Sequence, residues 1–193
     1  MKRPTIGSFT GIALIAATAV GLLSACGGPP PKETRTELLL GTTVSVTVYG
    51  TVDSSVLDSV FQRVQEIEQK MSTSEDDYND TELMAVNEGA GSEPVTVSPD
   101  TFEVVKAALE FSEATGGVFD VTVHPLVKLW GIGTEGAAIP AEEEIEAAVD
   151  LVDYREVELR EDSLAVYLPE PGMGIDVGGI AKGYAADEAA RIL

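Results

Sequence analysis

A single cysteine, Cys26, and a single histidine, His124, occur in the 193 residues. One cysteine excludes an intrachain disulfide and a cysteine-based metal site, and one histidine excludes a histidine cluster. Any metal held here would sit among oxygen ligands, which suits Mg2+ or Ca2+. Basic residues are scarce as well: 12 Lys and Arg face 33 Asp and Glu, a formal net charge of −21. A surface of that sign repels a phosphate backbone, so the chain is not a nucleic-acid binder. It also repels an anionic nucleotide, so a nucleotide site would need a divalent cation or a local lysine to compensate. The densest acidic cluster, Glu142-Glu143-Glu144, reads as solvated surface.

Residues 1–25 read as an export signal. Lys2 and Arg3 form a basic start, and Phe9 to Leu23 is apolar but too short for a comfortable membrane span. The segment ends in Leu23-Ser24-Ala25-Cys26, which resembles the lipobox of bacterial lipoproteins. That resemblance implies cleavage before Cys26 and acylation of it, several acyl chains anchoring what one holds only weakly. An ordinary secretory signal with a chance cysteine is the alternative. Residues 26–33, with three consecutive prolines, form a stiff tether. The folded part is expected over 34–193, enough chain for one domain with a real core.

Within that part, Val44, Val46 and Val48 alternate with polar residues and predict a half-buried strand, with Gly41 before it as a bulge. Asp53 or Ser54 caps a predicted helix to Met71, whose Val56, Val60, Val64, Ile67 and Met71 share one face and belong to the core. Glu93 to Val97 reads as a short strand. Ser98-Pro99 starts a helix to about Thr115, stopped by Gly116-Gly117, with Phe102, Val105, Leu109 and Ser112 inward. Asp120 lies among apolar neighbours and needs partners or serves as a turn cap. His124 precedes a proline in a segment expected to be extended and reads as structural. Residues 142–151 predict a short helix, and 156–159 with 164–168 a hairpin.

Residues 173–187 are the most informative. A short apolar strand is expected to pass through Gly178-Gly179 into a helix near Ala181. Backbone N–H groups at such a helix start attract anions, and Lys182 adds a charge in the first turn. Asp176 can accept hydrogen bonds or contact a metal. Neither named phosphate motif fits. Lys182 is followed by Gly183 where Walker A needs Ser or Thr, and Val177 stands where the dinucleotide fingerprint needs its third glycine. A phosphate site and a simple tight turn both remain open on local chemistry.

The run Asp176-Val-Gly-Gly-Ile-Ala-Lys-Gly-Tyr-Ala-Ala-Asp187 resembles the signature of the ApbE family, the FAD:protein FMN transferases. Further matches are Leu40-Gly41-Thr42-Thr43, with Leu for the family's Met, and the segment after Met71-Ser72-Thr73, with Ser74 at the usual aromatic position. Gly116 to Leu126 and Trp130-Gly131-Ile132-Gly133 complete them. The resemblance implies an α+β fold, a mixed, mainly antiparallel sheet packed with helices. It also implies that the chain is the N-terminal portion of a longer enzyme, truncated at the C-terminus.

Leu40, Ser74, Val118, Phe119, Asp120, Asp176 and Lys182 match positions that contact FAD. Gly179 matches one that gives Mg2+ a backbone carbonyl. Catalytic residues and the other metal ligands are expected beyond Leu193. The implied activity is Mg2+-dependent transfer of FMN from FAD to a threonine of a partner flavoprotein, releasing AMP. Acceptors would be FMN-binding domains, such as subunits of Rnf-type or sodium-pumping NADH:quinone reductase complexes. The lipobox places the protein on the extracytoplasmic face of the cell membrane, lipid-anchored. A non-catalytic FAD-binding lipoprotein and an Mg2+-dependent FAD pyrophosphatase are the alternatives.

Overall fold

The computed structural model describes residues 30–74 and 78–193. The expected signal, the lipid attachment at Cys26 and residues 26–29 of the tether lie outside them. The described chain falls into two units. The smaller contains 30–34 and 47–52, and the larger 35–46 and 53–193. In the smaller unit the Gly50 amide donates to the Pro31 carbonyl at 2.7 Å and the Thr34 and Thr47 hydroxyls meet at 2.9 Å.

Strands β1 (Lys32–Leu39) and β2 (Thr42–Tyr49) pair as a two-stranded sheet. The valine alternation is confirmed: Val44, Val46 and Val48 are half-buried between exposed neighbours. Gly41 is not a bulge. With Leu40 it forms a two-residue hairpin loop, both residues at positive φ, +55° and +64°. That geometry matches the twist of paired strands but suits Asn-Gly rather than Leu-Gly.

Helix α1 (Ser54–Met71) is capped by the Asp53 carboxylate, which accepts from the Ser55 amide. It buries Leu57, Val60, Phe61, Val64, Ile67 and Met71: four of the five predicted residues with Leu57 and Phe61 added, while Val56 is only half-buried. Helix α2 (Glu82–Glu88) begins on Thr81, whose hydroxyl accepts from the Met84 amide. Helix α3 (Pro99–Ala114) has Pro at its first position as expected, but the Ser98 hydroxyl does not cap it. Ser98 instead donates both its amide and its hydroxyl to Glu82, at 3.0 and 2.8 Å, tying α2 to α3.

The segment through His124 is not extended. It turns into α4 (His124–Trp130), because Pro125 fits the first turn of a helix, where its missing N–H costs nothing. Helix α5 (Glu142–Val149) follows. Strands β3 (Val95–Thr96), β4 (Glu158–Arg160) and β5 (Ala165–Tyr167) form an antiparallel sheet in the order β3-β5-β4, with Val95 and Leu159 both opposite Val166. The last helix is α6 (Ala181–Ile192).

Met173 to Val177, buried except for the half-buried Asp176, is not a strand, contrary to the sequence reading. Its backbone is satisfied from the side. The Asn87 amide group accepts from the Ile175 N–H at 2.7 Å and donates to the Ile175 carbonyl at 3.0 Å, while the Asp176 amide donates to the Val121 carbonyl. A side chain that mimics a neighbouring strand removes the need for a ladder.

One polar cluster crosses the larger unit. Arg63 of α1 donates to both carboxylate oxygens of Asp100 on α3, each at 2.8 Å, and to Glu188 on α6 at 2.6 Å. Lys70 and the Tyr184 hydroxyl also donate to Asp100, at 2.6 and 2.9 Å. The Arg63 guanidinium holds the Asp100 carboxyl far below the usual carboxylate range. Burial, then Asp100, pushes the Tyr184 phenol up to about 12, so it stays a donor at neutral pH.

A depressed carboxyl stabilises the fold above the unfolded carboxylate value, near 4, and loses that contribution as pH falls below it. Asp100→Asn is therefore expected to cost about 2 kcal/mol at pH 7 by breaking a half-buried ion pair. The gap from the parent should shrink as pH drops from about 4 towards 2. Urea unfolding midpoints across that range measure this, and a gap that ignores pH would refute it.

Candidate functional site

Four of the residues matched to FAD contacts converge. Leu40, Ser74, Asp176 and Lys182 line one cavity of about 190 Å3, with Gly41, Glu68, Met71, Ser72, Thr73, Val177, Gly178 and Ala181. Three elements meet there: the β1–β2 turn, the C-terminal end of α1 with the residues after it, and the start of α6. Ligand pockets commonly span roughly 300–1,000 Å3, so this space holds part of a dinucleotide.

The Gly-rich turn shapes itself. Asp176 Oδ1 accepts from the Gly178 amide at 2.8 Å, the Val177 carbonyl accepts from Ile180 and Ala181, each at 2.8 Å, and the Ile180 carbonyl accepts from Gly183. These amides are committed within the loop, so the helix start offers an anion fewer donors than its sequence suggests. What it offers is the dipole and Lys182, whose exposed ammonium rests on the Gly178 carbonyl at 2.5 Å.

The other matched residues form a neighbouring group that does not line the cavity. A β-carbon added to Gly179 would meet Phe119 Cε2 at 2.9 Å, so the aromatic ring lies directly on that glycine. Phe119 is half-buried and stacks edge-on with Phe111 at 5.3 Å. Val118 projects from the loop, 92% exposed. Asp120 acts as the turn cap that its apolar surroundings allowed. Oδ1 accepts from the Thr122 amide and hydroxyl, and Oδ2 from the Tyr154 amide at 3.1 Å. Its partners include a residue 34 positions away, which no local pattern could reveal.

A larger cavity of about 860 Å3 lies against Thr73, Tyr78, His124, Lys128 and Met173. Thr73 borders both spaces. None of the sequence-predicted residues lines the larger one, so convergence of chemistry favours the smaller as the site. The sequence reading passed over Glu68, and it had Gly41 and Thr73 only as members of matched segments, not as site residues. The signal for Glu68 was its place three residues before Met71 on the same helix face. Among the described residues, no group of three or more His, Cys, Asp and Glu side chains could cage a metal.

The model of the ApbE family matches residues 40–193. The chain belongs to the ApbE family. It is 35% identical over 182 residues to the FAD:protein FMN transferase of Treponema pallidum, covering 89% of this chain and 49% of that protein. With the FAD:protein FMN transferase of Vibrio cholerae the identity is 33%, over 93% of this chain and 54% of the relative. The crystal structure of the ApbE protein from Thermotoga maritima superposes with a TM-score of 0.76 at 31% identity, over 84% of this chain and 52% of that one. The flavin transferase ApbE from Vibrio cholerae gives 0.75 at 28% identity, over 84% and 53%. The expected α+β architecture is thus the family's. The chain spans about half the length of the curated relatives it matches.

Asp120 and Lys182 should separate by what they do to the fold. Asp120→Ala leaves three donors without their acceptor and is expected to cost about 1–3 kcal/mol. Lys182→Ala, at an exposed position, should stay within about 0.5 kcal/mol of the parent. Equal unfolding midpoints for the two variants in urea would contradict the assignment.

Proposed function

We propose that the cavity between the Leu40 turn and the start of α6 binds FAD as substrate, and that this chain acts as an FAD:protein FMN transferase. The observation that carries the reading is the meeting of Leu40, Ser74, Asp176 and Lys182 in one cavity. It is supported by family membership and by relatives named for that activity. The Lys182 ammonium can leave the Gly178 carbonyl for a phosphate oxygen, supplying the local charge that a protein of net charge −21 otherwise lacks. Phe119 against Gly179 and the exposed Val118 give the ligand an apolar edge beyond the cavity. Asp120 holds that loop in shape.

In the proposed reaction a threonine hydroxyl of the acceptor attacks the flavin-side phosphorus. The bond from that phosphorus to the bridging oxygen breaks, AMP leaves with that oxygen, and the hydroxyl proton passes to solvent. Positioning and charge neutralisation dominate such transfers, and Mg2+ bound in part by the Gly179 carbonyl would neutralise phosphate charge. Acceptors are proposed to be FMN-binding domains of extracytoplasmic flavoproteins, such as those of Rnf-type or sodium-pumping NADH:quinone reductase complexes. Attachment through an acylated Cys26 on the extracytoplasmic face of the cell membrane is part of the same proposal. Among the described residues no helix is long and apolar enough to cross a membrane.

Intact-mass spectrometry tests the reaction with FAD, Mg2+ and an FMN-binding acceptor domain. One added FMN on the acceptor, lost when its threonine is replaced by alanine, supports the transferase. Free FMN and AMP without an adduct would make it a pyrophosphatase, and tight FAD with neither product a binding lipoprotein. Lys182→Ala is expected to weaken FAD by about tenfold, near 1.4 kcal/mol. Unchanged affinity would remove Lys182 from the site.

A further inference from the structure

We propose that Glu68 is a positioning residue. Its carboxylate holds the Leu40–Gly41 turn in a left-handed conformation at the cavity, and by doing so sets how tightly the ligand binds. The ligand part of this rests on the flavin reading above.

The argument begins with backbone strain. Strands β1 and β2 are joined by two residues, both at positive φ. Glycine takes that conformation freely, whereas the Leu40 β-carbon crowds the following carbonyl. Such an outlier persists only where its surroundings over-determine it, and it is most often kept where it serves a site. Two contacts hold Leu40. Its side chain packs on the main core cluster, and its amide donates to Glu68 Oε1 at 2.7 Å. Glu68 sits between Ile67 and Met71 on α1, whose buried face fixes where the carboxylate stands.

The same three residues, Leu40, Gly41 and Glu68, line the cavity with Asp176 and Lys182. A second carboxylate beside a phosphate site is electrostatically unhelpful. Its hydrogen bond to the strained turn accounts for its presence, and a neutral acceptor of the same shape would serve as well. Glu68→Gln therefore separates the bond from the charge, while Glu68→Ala removes both.

The test compares the full chain with Glu68→Ala and Glu68→Gln by amide hydrogen exchange at Leu40 and by FAD titration. In Glu68→Ala, Leu40 exchange should quicken and FAD binding weaken, each by about tenfold, while Glu68→Gln stays near the parent in both. A general loss of stability would not distinguish the two variants in this way. Unchanged Leu40 exchange in Glu68→Ala, or equal losses in both variants, overturns the proposal. If Glu68→Ala does not fold, Leu40→Gly combined with it should, since glycine adopts the turn unaided. A double variant that also fails to fold overturns the role as well. A parent chain that takes no FAD overturns the flavin reading instead, and Leu40 exchange then decides on Glu68 alone.

Discussion

The guanidinium of Arg63 is the joint on which the larger unit turns. In a chain of 33 acidic and 12 basic residues, cations able to bridge elements are few. Arg63 uses its planar fork on Asp100 of α3 and Glu188 of α6 together, from a side chain only 19% exposed. Helix α6 also packs Tyr184, with the preceding Ile180, on the core cluster. Its buried face is a stripe of alanines, Ala181, Ala185 and Ala189, which permits a close approach to a neighbouring helix but no interlocking. The polar cluster supplies the direction that small side chains cannot.

That angle matters because the site is shared between helix ends. The C-terminal end of α1 brings Glu68, Met71 and the residues to Ser74. The first turn of α6 brings Ala181 and Lys182. With Lys70 also on Asp100, the cluster lies on the same stretch of α1 that supports the cavity. Rotation of α6 would carry Lys182 away from the Leu40 turn.

Within the site, residues that read as ligand contacts also build the backbone. Asp176 closes the turn onto Gly178, Lys182 steadies the Gly178 carbonyl, and Asp120 caps the loop before α4. A carboxylate has about four acceptor positions, so shaping a loop leaves capacity for a ligand.

Much of this protein was legible in its sequence, where the cause is local. The amphipathic face of α1, the capping of its start by Asp53, the proline start of α3 and the hairpin of β4 and β5 follow from spacing and turn chemistry that neighbouring residues impose on each other. Membership of the ApbE family was legible too, since its residues come in fixed order from Leu40 to Asp187. The buried run at Met173 to Val177 was misread because apolar residues there fit a strand, and only the distant Asn87 shows that a side chain takes the ladder's place. The helix at His124 was hidden because a proline that can begin a helix also fits extended chain. Tertiary structure alone decided that Asp120 faces Tyr154, that Phe119 lies on Gly179, and that Glu68 holds a strained leucine at the cavity. Each joins residues far apart in the chain, and a pairing made by folding leaves no periodicity or spacing for a sequence to display.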